Sequence, residues 1–443
     1  MPYRETVKER ADRHVWKDAK TSVARNLGAM DGISLASVFA RACRDGEREH
    51  EPDAAARLAL EECMNDIGHD PLRRAAPAAW YINSGLRLSD EVPDAGSNPM
   101  CYALVPALER YLANVHYRDG APRSRAATLD ALRARGMDWL PLPGRGETAT
   151  RWRGLAAVAA CDLSLVKLYE GHTDALAILA ELQRAELADD GNWAVWTAEP
   201  RNAKLIAHAA GGDALTLDGI KPWCSGAPHV THALVTAWRG DDPVLAAVEL
   251  SQPSVSVETG NWQAVGMRAT GASEVRFDGA RAVQIGEAGA YLARPGFWHG
   301  GAGIAACWYG CAAALAAILR NSVKQKNDPH ACAHLGAADA ELSAVAALLR
   351  ETAVWIDEHP RDDAQQCAMR VRVAVEQAAV QVMDHVSRAL GAMPFCTDAW
   401  FAHAIADLPV FLRQSHAERD KCALGQTLLD SDDSGELWKL AHQ

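Results

Sequence analysis

Residues 211–237 read GGDALTLDGIKPWCSGAPHVTHALVTA. Leu, Val, Thr and Ile come in short runs that alternate with polar residues and are cut by Gly, Asp and Pro. A helix would repeat its apolar residues every three to four positions; this texture is that of strands joined by turns. Runs of the same kind continue in VLAAVEL (244–250), SVSVETG (254–260) and EVRFDGARAV (274–283), so the spacing predicts an antiparallel β domain over 190–290. Inside the quoted stretch Trp223 and Ser225 stand two apart. Strand alternation puts both side chains on one face, where an indole covers a flat ring and a hydroxyl bonds its edge.

Outward from this domain the period changes. Residues 121–189, with LAAVAACDLSLVKLYEGHTDALAILAELQ at 155–183, read as a helical domain. Beyond ARPGF, four amphipathic segments at 303–324, 333–356, 367–390 and 399–425 predict a C-terminal four-helix bundle over 291–430, with a tail at 431–443. Residues 1–120 hold helical pieces such as YALVPALERYLANV (102–115) and form an unassigned, mostly helical extension. The fold class expected is mainly α with a central β domain.

The 443 residues are 49% hydrophobic, enough for several cores. A net charge of −12 with no basic run argues against a nucleic-acid partner. Eleven cysteines without a CxxC pair read as reduced thiols, and Cys307 and Cys311 as helix packing. The start, MPYRETVKERADRH, lacks the apolar core of a secretion signal, and no uninterrupted apolar stretch reaches the roughly 20 residues of a membrane span. A cytoplasmic protein with no membrane contact is expected. HVTH at 229–232 lacks a third metal ligand, and GGAG at 300–303 lacks the Lys-Ser/Thr of a phosphate loop.

Together with AVGMRATGASEVRFDGARAV (264–283), the opening stretch resembles the β domain of the acyl-CoA dehydrogenases and of the flavin monooxygenases that share their fold, such as dibenzothiophene monooxygenase. The resemblance runs from about 124 to 426. It implies an N-terminal helical domain, a β barrel or sandwich and a four-helix bundle, holding FAD or, in part of the superfamily, FMN. It places Trp223 on the isoalloxazine and Ser225 near its reactive nitrogen. AVWTAEP (194–200) is similar to the family's V-T-E-P strand, which sets Thr197 and Ala198 beside the ring. RALGAMPF (388–395) is similar to the turn that reaches the flavin of a neighbouring subunit, with Gly391 and Ala392 in the turn and Arg388 in place of Gln. A homodimer or homotetramer follows from that sharing. RNAKLI (201–206) replaces the family's phosphate-binding Gly-Ser turn, and KNDPHACAHLG (326–336) its Arg-x-x-Phe.

The family's base sites also map onto this chain. FLRQSHAERD (411–420) falls on the loop whose Glu takes the substrate α-proton; Ser415 lies close to the Glu position and His416 beside it. The alternative base position falls near His299. His172, after LYEG, matches a histidine that faces the flavin in the monooxygenases. Imidazole suits proton transfer because it titrates near neutral pH. The resemblance implies an oxidoreductase that oxidises the Cα–Cβ bond of a small acyl substrate, acyl-CoA or carrier-bound, and passes electrons to an electron-transfer flavoprotein. A second reading is a monooxygenase supplied by a flavin reductase. A third is a flavin-free scaffold or binding protein.

Overall fold

The structure, a computed structural model, describes residues 99–117, 121–188, 191–199, 204–430 and 438. The expected extension lies outside the described residues up to position 98, as does the tail apart from Trp438.

Among the described residues, helices α1 (Pro99–Leu112), α2 (Pro122–Ala134), α3 (Thr148–Cys161) and α4 (Leu163–Glu181) come first. α2 starts on Pro122, a position where the missing N–H breaks no helical bond. Asp162 ends α3 and caps α4, accepting from Leu165 N at 2.7 Å, while Arg125 of α2 grips its other oxygen at 2.8 Å. That buried ion pair fixes α2 against the α3–α4 corner. Leu108 and Leu112 of α1 share one buried cluster with Leu129, Trp152 and Leu155. The helical domain thus has α1 as a member and begins before residue 121.

Seven strands follow: β1 (Trp193–Trp196), β2 (Ile206–Gly211), β3 (Ala214–Cys224), β4 (His232–Arg239), β5 (Asp242–Glu249), β6 (Val255–Glu258) and β7 (Ser273–Ile285). Pairing runs β4–β2–β3–β7–β5 and returns to β4, which closes a barrel around Leu215, Leu217, Val235, Val244 and Phe277. The sheet is not wholly antiparallel, as the sequence predicted. β1 pairs β4 in parallel, from Trp193 opposite His232 to Trp196 opposite Val235, and Ile206 of β2 meets Trp238 of β4 the same way. The cause is the β2–β3 hairpin inserted between β1 and β4: a crossover, not a tight turn, joins them.

The chain then runs through α5 (Ala290–Ala293), α6 (Gly296–Lys326), α7 (Pro329–Glu358), α8 (Gln365–Leu390), α9 (Met393–Thr397), α10 (Ala399–Phe411) and α11 (Glu418–Asp430). α10 and α11 replace the single helix predicted over 399–425. After a 3-10 turn at Leu412–Gln414, Ser415 is extended and its Oγ accepts from Ala417 N at 3.1 Å, while Ala417 takes φ +51. A serine oxygen competing for backbone N–H groups ends helices in this way. By length and mean composition α6 and α7 each have the makings of a membrane span, although no uninterrupted apolar run foretold it. α6 is mostly buried in the bundle core, whereas most of the apolar stretch of α7 is uncovered in the single chain. Glycine admits two close approaches: a Cβ on Gly310 of α6 would lie 2.2 Å from Ala156 O of α3, and one on Gly266 would lie 2.0 Å from Ala406 O of α10.

Candidate functional site

Trp223 lies at the end of β3 with 60% of its surface exposed, in the left-handed region at φ +59. That backbone costs a non-glycine residue about 1–2 kcal/mol. Two residues on, the Ser225 carbonyl accepts from Trp196 Nε1 at 3.0 Å, which ties the turn to β1, and the Ser225 hydroxyl has no partner among the described residues. The segment leaving β1 is held from beneath. Lys221, fully buried on β3, donates to Thr236 Oγ1 at 2.7 Å and to Thr236 O at 3.0 Å, and reaches Glu199 at 3.5 Å. Burial pulls its amine below the usual lysine range. Trp238 Nε1 holds the other Glu199 oxygen at 2.9 Å. Thr197, half-buried, and Ala198, exposed, are thereby set beside the turn. An uncovered indole, a free hydroxyl and a strained backbone at one turn suit a flat ligand with polar edges.

The second half of the site is a stripe along α4. This helix is apolar around most of its girth, yet Lys167, Glu170, Asp174 and Glu181 recur at steps of three, four and seven and so share one face. α6 approaches that face with glycines. A Cβ on Gly300 would lie 2.9 Å from Asp174 Oδ1, and Gly296 N donates to Glu181 Oε1 at 2.8 Å. Among the three carboxylates of the stripe the outer two are paired: Glu170 with Lys167 at 2.6 Å, Glu181 with Arg294 at 2.7 Å. Asp174, between them, has no hydrogen bond or ion pair among the described residues. Burial pushes its carboxyl up, opposed foremost by the Arg294 guanidinium. Tyr291 lies within electrostatic reach of Asp174 and donates its hydroxyl to Thr197 Oγ1 at 3.4 Å. One small hollow is lined by Lys167, Gly171, Val195 and Ser225, so the stripe borders the Trp223 turn.

No protein-family model matches the sequence, and no curated protein matches it. Solved structures do. TdsC, the dibenzothiophene monooxygenase of Paenibacillus sp. A11-2, solved with FMN and indole, is 18% identical, with a TM-score of 0.65 over 75% of this chain and 97% of its own. KijD3, solved with FMN and a dTDP-linked amino sugar, is 21% identical, with a TM-score of 0.63 over 77% of this chain and 96% of its own. A glutaryl-CoA dehydrogenase of Mycobacterium smegmatis, solved with FADH2, is 13% identical, with a TM-score of 0.66 over 76% of this chain and 96% of its own. The chain has the acyl-CoA dehydrogenase fold.

Within this fold the Trp196–Ser225 bond sets the turn after Trp223 against the end of β1, which Thr197 and Ala198 follow. Arg388, Gly391 and Ala392 sit apart from them at the end of α8. Arg388 is exposed and paired with Asp384 at 3.0 Å, and Gly391 ends the helix at φ +66. The histidines are not gathered: among the described residues no hydrogen bond or ion pair joins any two of His172, His299 and His416. His172 is buried with both ring nitrogens engaged. Nδ1 accepts from Trp193 N at 3.1 Å, which puts the proton on Nε2, donated to Asp138 Oδ2 at 3.1 Å. His299 is 2% exposed and faces Gly144, where a Cβ would meet its ring at 3.0 Å. Its Nε2 has no partner among the described residues, and burial lowers its pKa. His416 faces solvent at the start of α11, its N–H and Nδ1 on Asp420 at 2.9 and 3.3 Å. Ser415 is buried and occupied by the Ala417 N–H.

Sequence reading passed over Glu170, Asp174, Tyr291, Arg294 and Gly300. The signal was there in LYEGHTD: two acids four apart, on the face that Lys167 and Glu181 also occupy, in a helix apolar around most of its girth.

Proposed function

We propose that this chain binds a flavin, FMN or FAD, against Trp223 and is a flavin-dependent oxidoreductase of the monooxygenase type, acting on a small polar or aromatic molecule. The observation that carries the reading is the α4 stripe. An acyl chain lying there would strip water from the Glu170–Lys167 ion pair and leave the Asp174 carboxyl facing hydrocarbon without a partner, which is unfavourable, whereas a molecule bearing hydroxyl, amine or ring N–H groups meets them with hydrogen bonds. The free Ser225 hydroxyl and uncovered Trp223 indole fit the edge and face of an isoalloxazine. A bound flavin supplies two-electron transfer to oxygen. The balance is substrate, O2 and reduced flavin giving oxygenated substrate, water and oxidised flavin.

In this reading Trp223 covers the ring, Ser225 bonds its edge, Lys221 and Glu199 hold the segment after β1, and the stripe orients the substrate. A flavin reductase provides the reduced cofactor, and Arg388, Gly391 and Ala392 meet the site of a second copy in a homo-oligomer. The dehydrogenase reading rests on the TM-score of 0.66 to glutaryl-CoA dehydrogenase. It leaves the 415–416 position, occupied by Ser and His, without the expected carboxylate.

The test starts with colour. Purified protein incubated with FMN and FAD should retain one of them with absorbance at the flavin bands; failure with both supports a scaffold instead. With flavin bound, oxygen-dependent product formation from indole or an amino sugar in the presence of a flavin reductase supports the monooxygenase. Anaerobic bleaching by octanoyl-CoA supports the dehydrogenase.

A further inference from the structure

The stripe on α4 mixes signs and satisfies its members unevenly. Glu170 and Glu181 each hold a cation. Arg151, on the inner side, spends its guanidinium on the carbonyls of Pro141 and Thr173, both at 3.1 Å. Arg294 is 7% exposed, and its Nε has no partner among the described residues. Asp174 alone among the carboxylates of the stripe has no bond, although Arg294, Glu170, Arg151 and Lys167 all act on it and Tyr291 lies within its reach. A half-buried carboxyl with no partner is unfavourable for the fold by itself. Its place is specific as well: Gly300 is the residue of α6 opposite it, and any side chain there would press on Oδ1. Tyr291 and Thr197 continue the polar line from Asp174 to the segment beside Trp223.

We propose that Asp174 is the proton-exchanging residue of the site, with Gly300 keeping its carboxyl open to the bound substrate and Tyr291 and Thr197 lining the path toward the ring. In the proposed reaction it gives its proton to the oxygen atom that leaves as water and takes one back from the two released by the reduced flavin, so that protons and electrons balance. Without substrate the same residue serves the transfer of two electrons and two protons from reduced flavin to O2, giving H2O2. This inference rests on the flavin reading above.

Two measurements test it. The first needs neither substrate nor variant. Dicyclohexylcarbodiimide adds to protonated carboxyls and leaves a stable N-acylurea, which peptide mapping locates. At pH 7 in the flavin-free protein, Asp174 should be labelled faster than exposed Glu418, because a carboxyl raised by burial keeps more of its acid form, and labelling should fall as pH rises. Labelling no faster than that of Glu418 overturns the proposal. The second compares wild type with Asp174→Asn, both loaded with FMN, photoreduced and mixed with oxygen across pH 6–9. The variant should bind FMN as wild type does but reoxidise at least about tenfold more slowly, with the wild-type pH dependence gone. Equal rates and equal pH profiles with FMN bound overturn the role of Asp174 and leave the flavin reading standing. No FMN or FAD bound by the wild type overturns both.

Discussion

His172 and Asp174 are two residues apart on α4 and point to opposite sides of it, with opposite fates. Behind the helix, His172 is saturated: one ring nitrogen takes the Trp193 N–H and the other holds Asp138. In front, Asp174 is bound to nothing among the described residues and stands before a glycine. Residue type favoured the histidine as the chemical group; the distribution of partners favours the aspartate. A side chain whose bonding capacity is used within the fold holds elements together, and one left unused is available to a ligand.

The contrast is broken most directly from behind. His172→Ala should destabilise the protein by roughly 3 kcal/mol, since it leaves the buried Asp138 carboxylate uncompensated; urea unfolding reads this, and whatever remains folded should retain its flavin. Asp174→Asn should leave the unfolding midpoint within about 0.5 kcal/mol of wild type. Comparable losses from the two variants would erase the distinction.

Asp407 sharpens the comparison as a buried acid that is fully used, accepting from Met267 N and from Ser164 Oγ at 3.3 Å. Burial pushes it up to about 6. A carboxyl raised in the folded state binds more protons than in the unfolded chain between about pH 4 and 6. Its contribution is therefore most favourable below that window and is lost as pH rises through it, by up to roughly 3 kcal/mol. Asp407→Asn should flatten this slope in melting curves taken from pH 4 to 7; an unchanged slope would place the titration elsewhere.

Trp223→Gly should reverse the usual sign. Relief of the left-handed backbone should raise flavin-free stability by about 1 kcal/mol, while flavin affinity falls about tenfold with the loss of the covering ring. Gain and loss are read by melting and by flavin titration. The smallest effect belongs to His416→Asn: its side chain is largely exposed and bonded within its own segment, so stability should move by less than about 0.5 kcal/mol and turnover should not move.

The order of helix, barrel and helix was legible because periods of two and of 3.6 are strong signals over long segments. The parallel seat of β1 was not, since pairing depends on which strands the β2–β3 hairpin separates, and no local pattern carries that. Nor was the break at Ser415–Ala417, where the apolar period continues across a serine that takes a backbone N–H for itself. The strand alternation expected to set Trp223 and Ser225 on one face is interrupted, since Trp223 is left-handed at a register shift and β3 ends at Cys224. The Asp174 stripe was not legible, because whether an acid on a largely apolar helix finds a partner depends on what packs against it, here the glycines of α6.

α6 reaches from Gly296 to Lys326, a rod about 46 Å long at 1.5 Å per residue. One end carries Gly300 against the crevice, and Gly310 rests on the backbone of Ala156, as a beam rests on a fulcrum. Loads applied to the far arm are then felt at the near one: a tilt of about 4° about Gly310 swings Gly300, roughly 15 Å away along the axis, by about 1 Å. Displacements of that size are enough to cost catalysis a factor of about 10². Bundle residues far from Asp174 thus acquire leverage over its surroundings through the stiffness of one helix.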